Sequence, residues 1–185
     1  MDYRLFYAKG SASDGVRVIL EEIGVPYKLL QSTIERCKPR LPEQLEINPN
    51  GWVPVLMYGD NWIYECAAIT IFLCDRHPEA NLAPKLNDPK RGLYLQTLVY
   101  FSNSVQTAFQ TYYHPDRFAD TQANELSAQR RGIRRLLETW KVIDYQIGDN
   151  EWVLGESFSA VDIYLCYANH LAKNFTRTSN NWWVP

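Results

Sequence analysis

The chain has 185 residues, of which 46% are hydrophobic and 22% charged, enough for one large domain or two small ones that share an interface. Its net charge of −2 lacks the basic excess of a general nucleic-acid binder, so no nucleic-acid partner is expected. No apolar run approaches the ~20 residues that span a bilayer, so no membrane partner is expected either.

Arg4-Leu5-Phe6-Tyr7 is an aromatic and apolar run closed by Lys9-Gly10, which predicts a first strand. Ser11-Ala12-Ser13-Asp14-Gly15 is rich in residues that start helices, and Val16, Ile19, Leu20 and Ile23 then recur at helical spacing until Gly24-Val25-Pro26 stops them. Tyr27 to Gln31 is a second strand. A βαβ unit of this length implies a parallel pair. Thr33 to Ile47, broken by Pro39 and Pro42, is expected to be irregular, with a short helix near Glu43 to Glu46. Val53 to Tyr58 predicts a third strand, Gly59-Asp60-Asn61 a turn, and Trp62-Ile63-Tyr64 a fourth strand. Glu65 to Arg76 follows as a helix, with Ala67, Ile69, Ile71, Phe72 and Leu73 expected on its buried side.

Residues 80–90 hold two prolines and no periodicity, and mark a linker between a domain at 1–79 and another at 91–185. Beyond it the pattern is helical. Tyr94, Leu98, Phe101, Val105, Ala108 and Tyr112 repeat at alternating four and three, and Leu126, Ile133, Leu137, Trp140, Ile143 and Ile147 do nearly the same up to Gly148. Ser159-Ala160-Val161-Asp162 resembles a capping box, with the acid at the third helical position, and opens a helix through Ile163, Leu165, Ala168 and Leu171. The arginines 130, 131, 134 and 135 spread over a broad helical face beside Gln129 and Glu138, which reads as a solvated face. His77 before Pro78 marks a helix end, and His170 falls on the last helix.

Met1-Asp2-Tyr3-Arg4 lacks a basic segment followed by an apolar one, so no signal peptide is expected. Cys37, Cys66, Cys74 and Cys166 form no CxxC pair, and no histidine sits at zinc-finger spacing to them. They read as reduced thiols of a cytoplasmic protein, with neither a disulfide framework nor a metal site.

Three features carry chemistry. Pro54 stands at a strand start and cannot donate to the ladder. With a cis Val53–Pro54 bond, the Val53 N–H and C=O would face outward and could pair with a short peptide; the alternative is an ordinary edge-strand proline. Glu65-Cys66 opens a helix, whose free N–H groups and partial positive charge suit a carboxylate, while Glu65 could meet an ammonium; the alternative is an acidic cap. Ser11 and Ser13 precede the first helix, where a hydroxyl and the helix N-terminus would both lower the pKa of a bound thiol; the alternative is plain capping.

In this order and spacing the features resemble the cytosolic glutathione S-transferase superfamily, closest to its bacterial beta-like or theta-like members. The motifs are N-P-x-G-x-V-P over Asn48 to Pro54, E-C-x-A-I from Glu65, Leu82-Ala83-Pro84, and F-S-x-x-D over Phe158 to Asp162. The resemblance implies a thioredoxin-like βαβ-ββα domain followed by an all-α domain. It implies that glutathione is a co-substrate, held by Val53, Pro54, Glu65 and Cys66, with Trp52 beside them and Arg36 or Lys38 on its glycine carboxylate. Ser11 or Ser13 would sit at the sulfur and stabilise the thiolate for attack on a hydrophobic electrophile. The electrophile would lie in a pocket between the domains lined by Trp52, Tyr112, Tyr113 and His114.

Beta-like relatives often carry at Ala12 a cysteine that forms a mixed disulfide, and family members usually carry serine at Cys66. Some relatives also place Glu and His near Ser104 and Gln106, which this chain does not. Two more helical pieces follow the Asp162 helix in relatives, whereas this chain stops at Pro185 after Trp182-Trp183, which implies either a shortened domain or a more open pocket. A homodimer is the family expectation. A glutathione-dependent disulfide reductase or peroxidase, and a non-catalytic interaction protein on the same scaffold, are the alternative functions.

Overall fold

A computed structural model describes residues 2–35, 38–171, 176–177 and 183–184. Arg36, Cys37 and Trp182 therefore lie outside the described residues. The chain divides into two compact units, Met1–Arg91 and Gly92–Pro185.

The first unit is a four-stranded sheet with helices. The strands are β1 (Tyr3–Tyr7), β2 (Tyr27–Gln31), β3 (Val55–Tyr58) and β4 (Asn61–Tyr64), in the order β2-β1-β3-β4. β1 and β2 are parallel, while β3 is antiparallel to both β1 and β4. The middle strands carry the core: Leu5, Phe6, Val55 and Leu56 are all fully buried. The edge strands alternate weakly and stay largely exposed, as half-covered sheet edges do.

Helix α1 (Ser13–Ile23) buries Val16, Ile19 and Leu20, the residues whose spacing announced it. Helix α2 (Pro42–Ile47) starts on its proline, where a missing N–H costs nothing. β3 begins two residues later than the pattern suggested, because Pro54 has no N–H for the ladder. Helix α3 (Cys66–Arg76) buries Ala67, Ile69 and Leu73 as expected, but Ile71 and Phe72 are only half-buried. Cys66, Thr70 and Cys74 take the buried face instead, at i, i+4 and i+8 from the first residue of the helix.

The second unit is helical through residue 171. Helix α4 (Arg91–Tyr100) runs through a π turn (Phe101–Val105) into helix α5 (Gln106–Tyr113). Tyr94, Leu98, Phe101, Val105 and Ala108 are buried along this run. Helix α6 (Glu125–Ile147) buries Trp140 and Ile143 as the hydrophobic count implies, but nearer its start the buried face is shifted by one position, to Gly132 and Leu136. Its buried face is Ala128, Gly132, Leu136, Thr139, Trp140 and Ile143, while Leu126 is exposed and Ile133 and Leu137 are half-buried. The reason is Gly132: a Cβ there would sit 2.8 Å from the Tyr112 backbone nitrogen, so the two helix backbones meet at that point. Gln129 Nε2 donates to the Tyr112 carbonyl at 3.2 Å beside it. Arg130, Arg131, Arg134 and Arg135 are exposed, with Arg135 paired to Glu138.

Helix α7 (Ala160–Leu171) opens on the Ser159–Asp162 cap. The Asp162 carboxylate accepts the Ser159 N–H at 2.8 Å, the Ser159 hydroxyl at 3.0 Å and the Val153 N–H at 2.8 Å. Residues past α7 include a short antiparallel pair, β5 (Thr176–Arg177) with β6 (Trp183–Val184). Among the described residues no helix is long and apolar enough to cross a membrane.

Candidate functional site

Strand register brings the three sequence features to one end of the sheet. Phe6 faces Val55 in the antiparallel β1–β3 pair, and Val55 faces Tyr64 in the β3–β4 pair. The turn that follows β1 (Ser11 to Ser13), the segment that precedes β3 (Val53-Pro54) and the residues that follow β4 (Glu65-Cys66) therefore share an edge. Tyr7 pairs with Gln31 in parallel, so the end of β2 joins them.

At the Ser11 turn, both hydroxyls are buried and 2.6 Å apart. Ser13 Oγ donates to the Ala8 carbonyl and accepts the Ala8 N–H, both at 3.1 Å. Its single proton is thereby used, so the Ser11 hydroxyl donates to Ser13. Ser11 Oγ in turn accepts the Ser13 N–H at 3.2 Å and caps α1 from two residues upstream, since Ala12 has no polar side chain. The chain of donors runs Ser11 to Ser13 to Ala8. Ser11, at 8% exposure against 0% for Ser13, is the hydroxyl able to turn its proton outward without breaking the brace. Asp14 holds the same turn: it accepts the Tyr7 hydroxyl and the Gly10 N–H, both at 2.7 Å. Burial first, and then the Asp14 carboxylate, push the Tyr7 phenol up from its ordinary value.

The Val53–Pro54 peptide is cis. Val53 packs its side chain against Phe6, Val55 and Met57. The two residues before it are tied by their carbonyls. Gln44 Nε2 donates to the Gly51 carbonyl at 3.0 Å and to the Trp52 carbonyl at 3.1 Å. Arg40 Nε adds a bond to Gly51 at 3.0 Å, and Asn48 Nδ2 one to Trp52 at 3.2 Å. Gly51 has φ +65, and a Cβ there would lie 2.8 Å from Arg40 Cγ, so the position excludes a side chain twice over. The Trp52 side chain is exposed. Gln44 and Arg40 carried no signal in the sequence; a lone buried amide in a six-residue helix has no period to betray it.

Glu65 is exposed and has φ 74 with ψ 118, a left-handed φ in a residue other than glycine. Such a conformation costs on the order of 1–3 kcal/mol and persists where neighbours enforce it. Its carbonyl already accepts the Ile69 N–H at 2.9 Å, so the helix begins there. Cys66 is buried, and its thiol donates to the Ala12 carbonyl at 3.4 Å. The side chain thus faces the Ser11 turn, and what the start of α3 offers outward is backbone N–H.

The remaining candidates lie on other elements. Lys38 Nζ lies 2.7 Å from Glu35 in an exposed ion pair. Tyr112 and Tyr113, at the end of α5 in the second unit, meet edge to face with ring centroids 4.8 Å apart, and His114 closes that helix. His77 does end α3, donating its N–H to Leu73, and its ring bridges Tyr3 and Glu79. Among the described residues no group of three or more His, Cys, Asp or Glu could hold a metal ion.

Residues 11–76 match the family model "Glutathione S-transferase, N-terminal domain". The chain is 25% identical over 166 residues to glutathione S-transferase GstA of Escherichia coli O157:H7, covering 88% of this chain and 78% of that protein. It is 31% identical over 121 residues to the uncharacterized GST-like protein YncG of Escherichia coli K12, covering 65% and 57%. Among solved structures, a glutathione transferase homolog from Sulfitobacter with bound glutathione superposes at TM-score 0.80 and 25% identity, over 91% of this chain and 81% of that one. The glutathione S-transferase of Xylella fastidiosa superposes at 0.81 and 20% identity, over 93% and 83%.

Proposed function

We infer, because the chain belongs to the cytosolic glutathione S-transferase superfamily, that it stabilises the thiolate of glutathione and directs it at a hydrophobic electrophile. The observation that carries this is the shared sheet end: a buried hydroxyl pair at a helix N-terminus, a backbone segment ahead of the cis-proline, and a second helix start with an acid before it. Each group suits one part of a thiol tripeptide. Val53 offers main-chain pairing to the cysteinyl unit. The N–H groups of the first turn of α3 suit the γ-glutamyl carboxylate, and Glu65 suits its ammonium. Lys38 would have to leave Glu35 to reach a glycine carboxylate.

The chemistry asks little covalent work of the protein. The glutathione thiol loses its proton to solvent, and the thiolate is held by the Ser11 hydroxyl and by the positive end of α1. Ser13 keeps Ser11 in place through its bonds to Ala8. The new carbon–sulfur bond forms as the leaving group departs with the electron pair of its own bond. Placement and electrostatics supply the acceleration. The aromatic pair Tyr112–Tyr113 offers an apolar surface to an electrophile.

Retention on immobilised glutathione, followed by conjugation of a chlorodinitrobenzene, tests the reading; no retention and no turnover would overturn it. Preferential turnover of hydroxyethyl disulfide would point to the reductase alternative, against which Ala12 stands. A homodimer is proposed with it, and a monomer mass by light scattering at micromolar concentration would refute that part.

A further inference from the structure

Gln44 is fully buried, at 0% exposure, in a short helix whose other positions are mostly exposed. Burying an uncompensated amide is costly, and this one is compensated at both ends. Its Oε1 accepts the Ser32 hydroxyl at 2.6 Å. Its Nε2 donates to two successive carbonyls, Gly51 and Trp52. Ser32 is itself tied to the sheet, donating its N–H to the Tyr7 carbonyl at 2.7 Å. A continuous path of hydrogen bonds therefore runs from the end of β1, through Ser32 and Gln44, to the peptide unit that enters Val53. The same end of β1 leads into the Ser11 turn.

We propose that Gln44 is the positioning residue that sets the distance and angle between the Val53 backbone and the Ser11 hydroxyl, and so determines affinity for the thiol tripeptide. The proposal rests on the function inferred above and deepens it. A leucine or methionine of similar size would fill the same space and leave the fold closed. What it could not do is tie the Gly51 and Trp52 carbonyls to Ser32; Trp52 would keep Asn48 and Gly51 would keep Arg40, but the link from this segment to the end of β1 would be cut. Trp52 itself is free to vary in side chain, because only its carbonyl is gripped. Gln44 does not touch the ligand; it acts through residues 51–53.

The test compares wild-type protein with Gln44→Met, and with Thr139→Val as a control for lost stability. Thr139 is equally buried but belongs to the second unit, where its hydroxyl donates to Leu136. Gln44→Met is expected to raise KM for glutathione about tenfold while kcat changes by about twofold or less, since binding geometry and not the chemical step is disturbed. Thr139→Val is expected to lower the melting temperature and leave KM unchanged. An unchanged KM in a folded Gln44→Met protein overturns the proposal, as does an equal rise in KM for Thr139→Val. Should Gln44→Met fail to fold, Arg40→Met, at a half-buried position, removes the Nε bond to the Gly51 carbonyl together with the Nη1 bonds to the Glu35 and Lys38 carbonyls. It is expected to raise KM about threefold, and an unchanged value overturns the proposal. A wild-type protein that neither binds nor turns over glutathione overturns the functional reading first and this inference with it; a competent wild type with an indifferent Gln44→Met overturns the inference alone.

Discussion

Replacing Ser11 with alanine separates the chemistry from the fold. In the free protein the Ser11 hydroxyl donates to Ser13 and accepts the Ser13 N–H, while Ser13 keeps its own bonds to Ala8. Ser11→Ala therefore removes two neutral hydrogen bonds, one of them the acceptor of the buried Ser13 N–H, worth about 1–3 kcal/mol of stability. On the proposed function the same hydroxyl would bond a thiolate, a charged group, at about 1.5–3 kcal/mol. One pKa unit corresponds to about 1.36 kcal/mol, so the bound thiol should move up by about 1–2 units, toward the ~8.5 of a free cysteine. The sign follows from the proposed function: a site that depresses the thiol pKa makes kcat/KM rise as pH climbs through that value. In Ser11→Ala the rise comes later. Activity falls about 10–100-fold below the wild-type pKa and recovers toward alkaline pH.

The assay is the pH profile of conjugation, read with the ultraviolet absorbance of enzyme-bound thiolate. A Ser11→Ala profile unmoved within ~0.3 unit refutes the assignment, because the hydroxyl would then contribute less than ~0.4 kcal/mol at the sulfur. Ser13→Ala should act mainly on the fold. It strips the buried Ala8 N–H of its side-chain partner, while the Ala8 carbonyl keeps the Ser11 N–H, which costs about 1–3 kcal/mol of stability, with a smaller shift of the thiol. If Ser13→Ala moves the thiol further than Ser11→Ala, the two roles are reversed.

Asp162→Ala leaves the Ser159 and Val153 N–H groups without their acceptor in a buried place; at about 1–3 kcal/mol each it should cost roughly 3–5 kcal/mol, measured by urea unfolding. Gly132→Ala pushes a methyl group to 2.8 Å from the Tyr112 backbone and should destabilise by about 1–3 kcal/mol, whereas Gly92→Ala, with open space around it, should change the melting temperature little. Tyr3, Tyr7, Tyr27 and Tyr100 are all raised above the usual tyrosine value, by burial before any other cause. The folded state holds these protons where the unfolded chain has begun to lose them, so their contribution is complete below pH ~10 and is lost as pH rises through the folded values. Ultraviolet titration of the phenols alongside urea midpoints should show stability falling in step with these late ionisations.

Elements with dense local signals were legible in the sequence. Tyr27–Gln31 is bounded by Pro26 on one side and a polar run on the other, and its observed limits are those the pattern implied. Val16, Ile19 and Leu20 mark α1 by spacing alone. The phase of α6 near its start was not legible, because its contact with α5 is made by a glycine, and a count of apolar side chains skips the one position that has none. The burial of α3 misled for a related reason: Thr70 and Cys74 are buried through helix geometry, Thr70 with its hydroxyl returned to the Cys66 carbonyl at 2.8 Å, and neither ranks as a strong apolar marker. Gln44 is the clearest miss. Its role exists only through partners 12 residues upstream and 7 and 8 residues downstream, and no local pattern encodes that.

On the proposed function, the site can tolerate the alanine at position 12 and the cysteine at position 66 because the groups it asks of these segments are backbone: the N–H groups of the first turn of α3 and the peptide unit between Trp52 and Val53. The Cys66 thiol is turned toward the Ala12 carbonyl, so its side chain joins the starts of α1 and α3 from inside. A hydroxyl in its place would make the same bond more strongly, since oxygen is the better donor. Cys66→Ser is thus expected to stiffen the link between the start of α1 and the start of α3. Its effect on a bound thiol tripeptide would then come through the geometry of the α3 N–H groups and would be read as a fall in KM at constant kcat. A change in kcat alone would mean that position 66 meets the reacting sulfur itself, and that the buried orientation of its thiol is not the one in which the protein works.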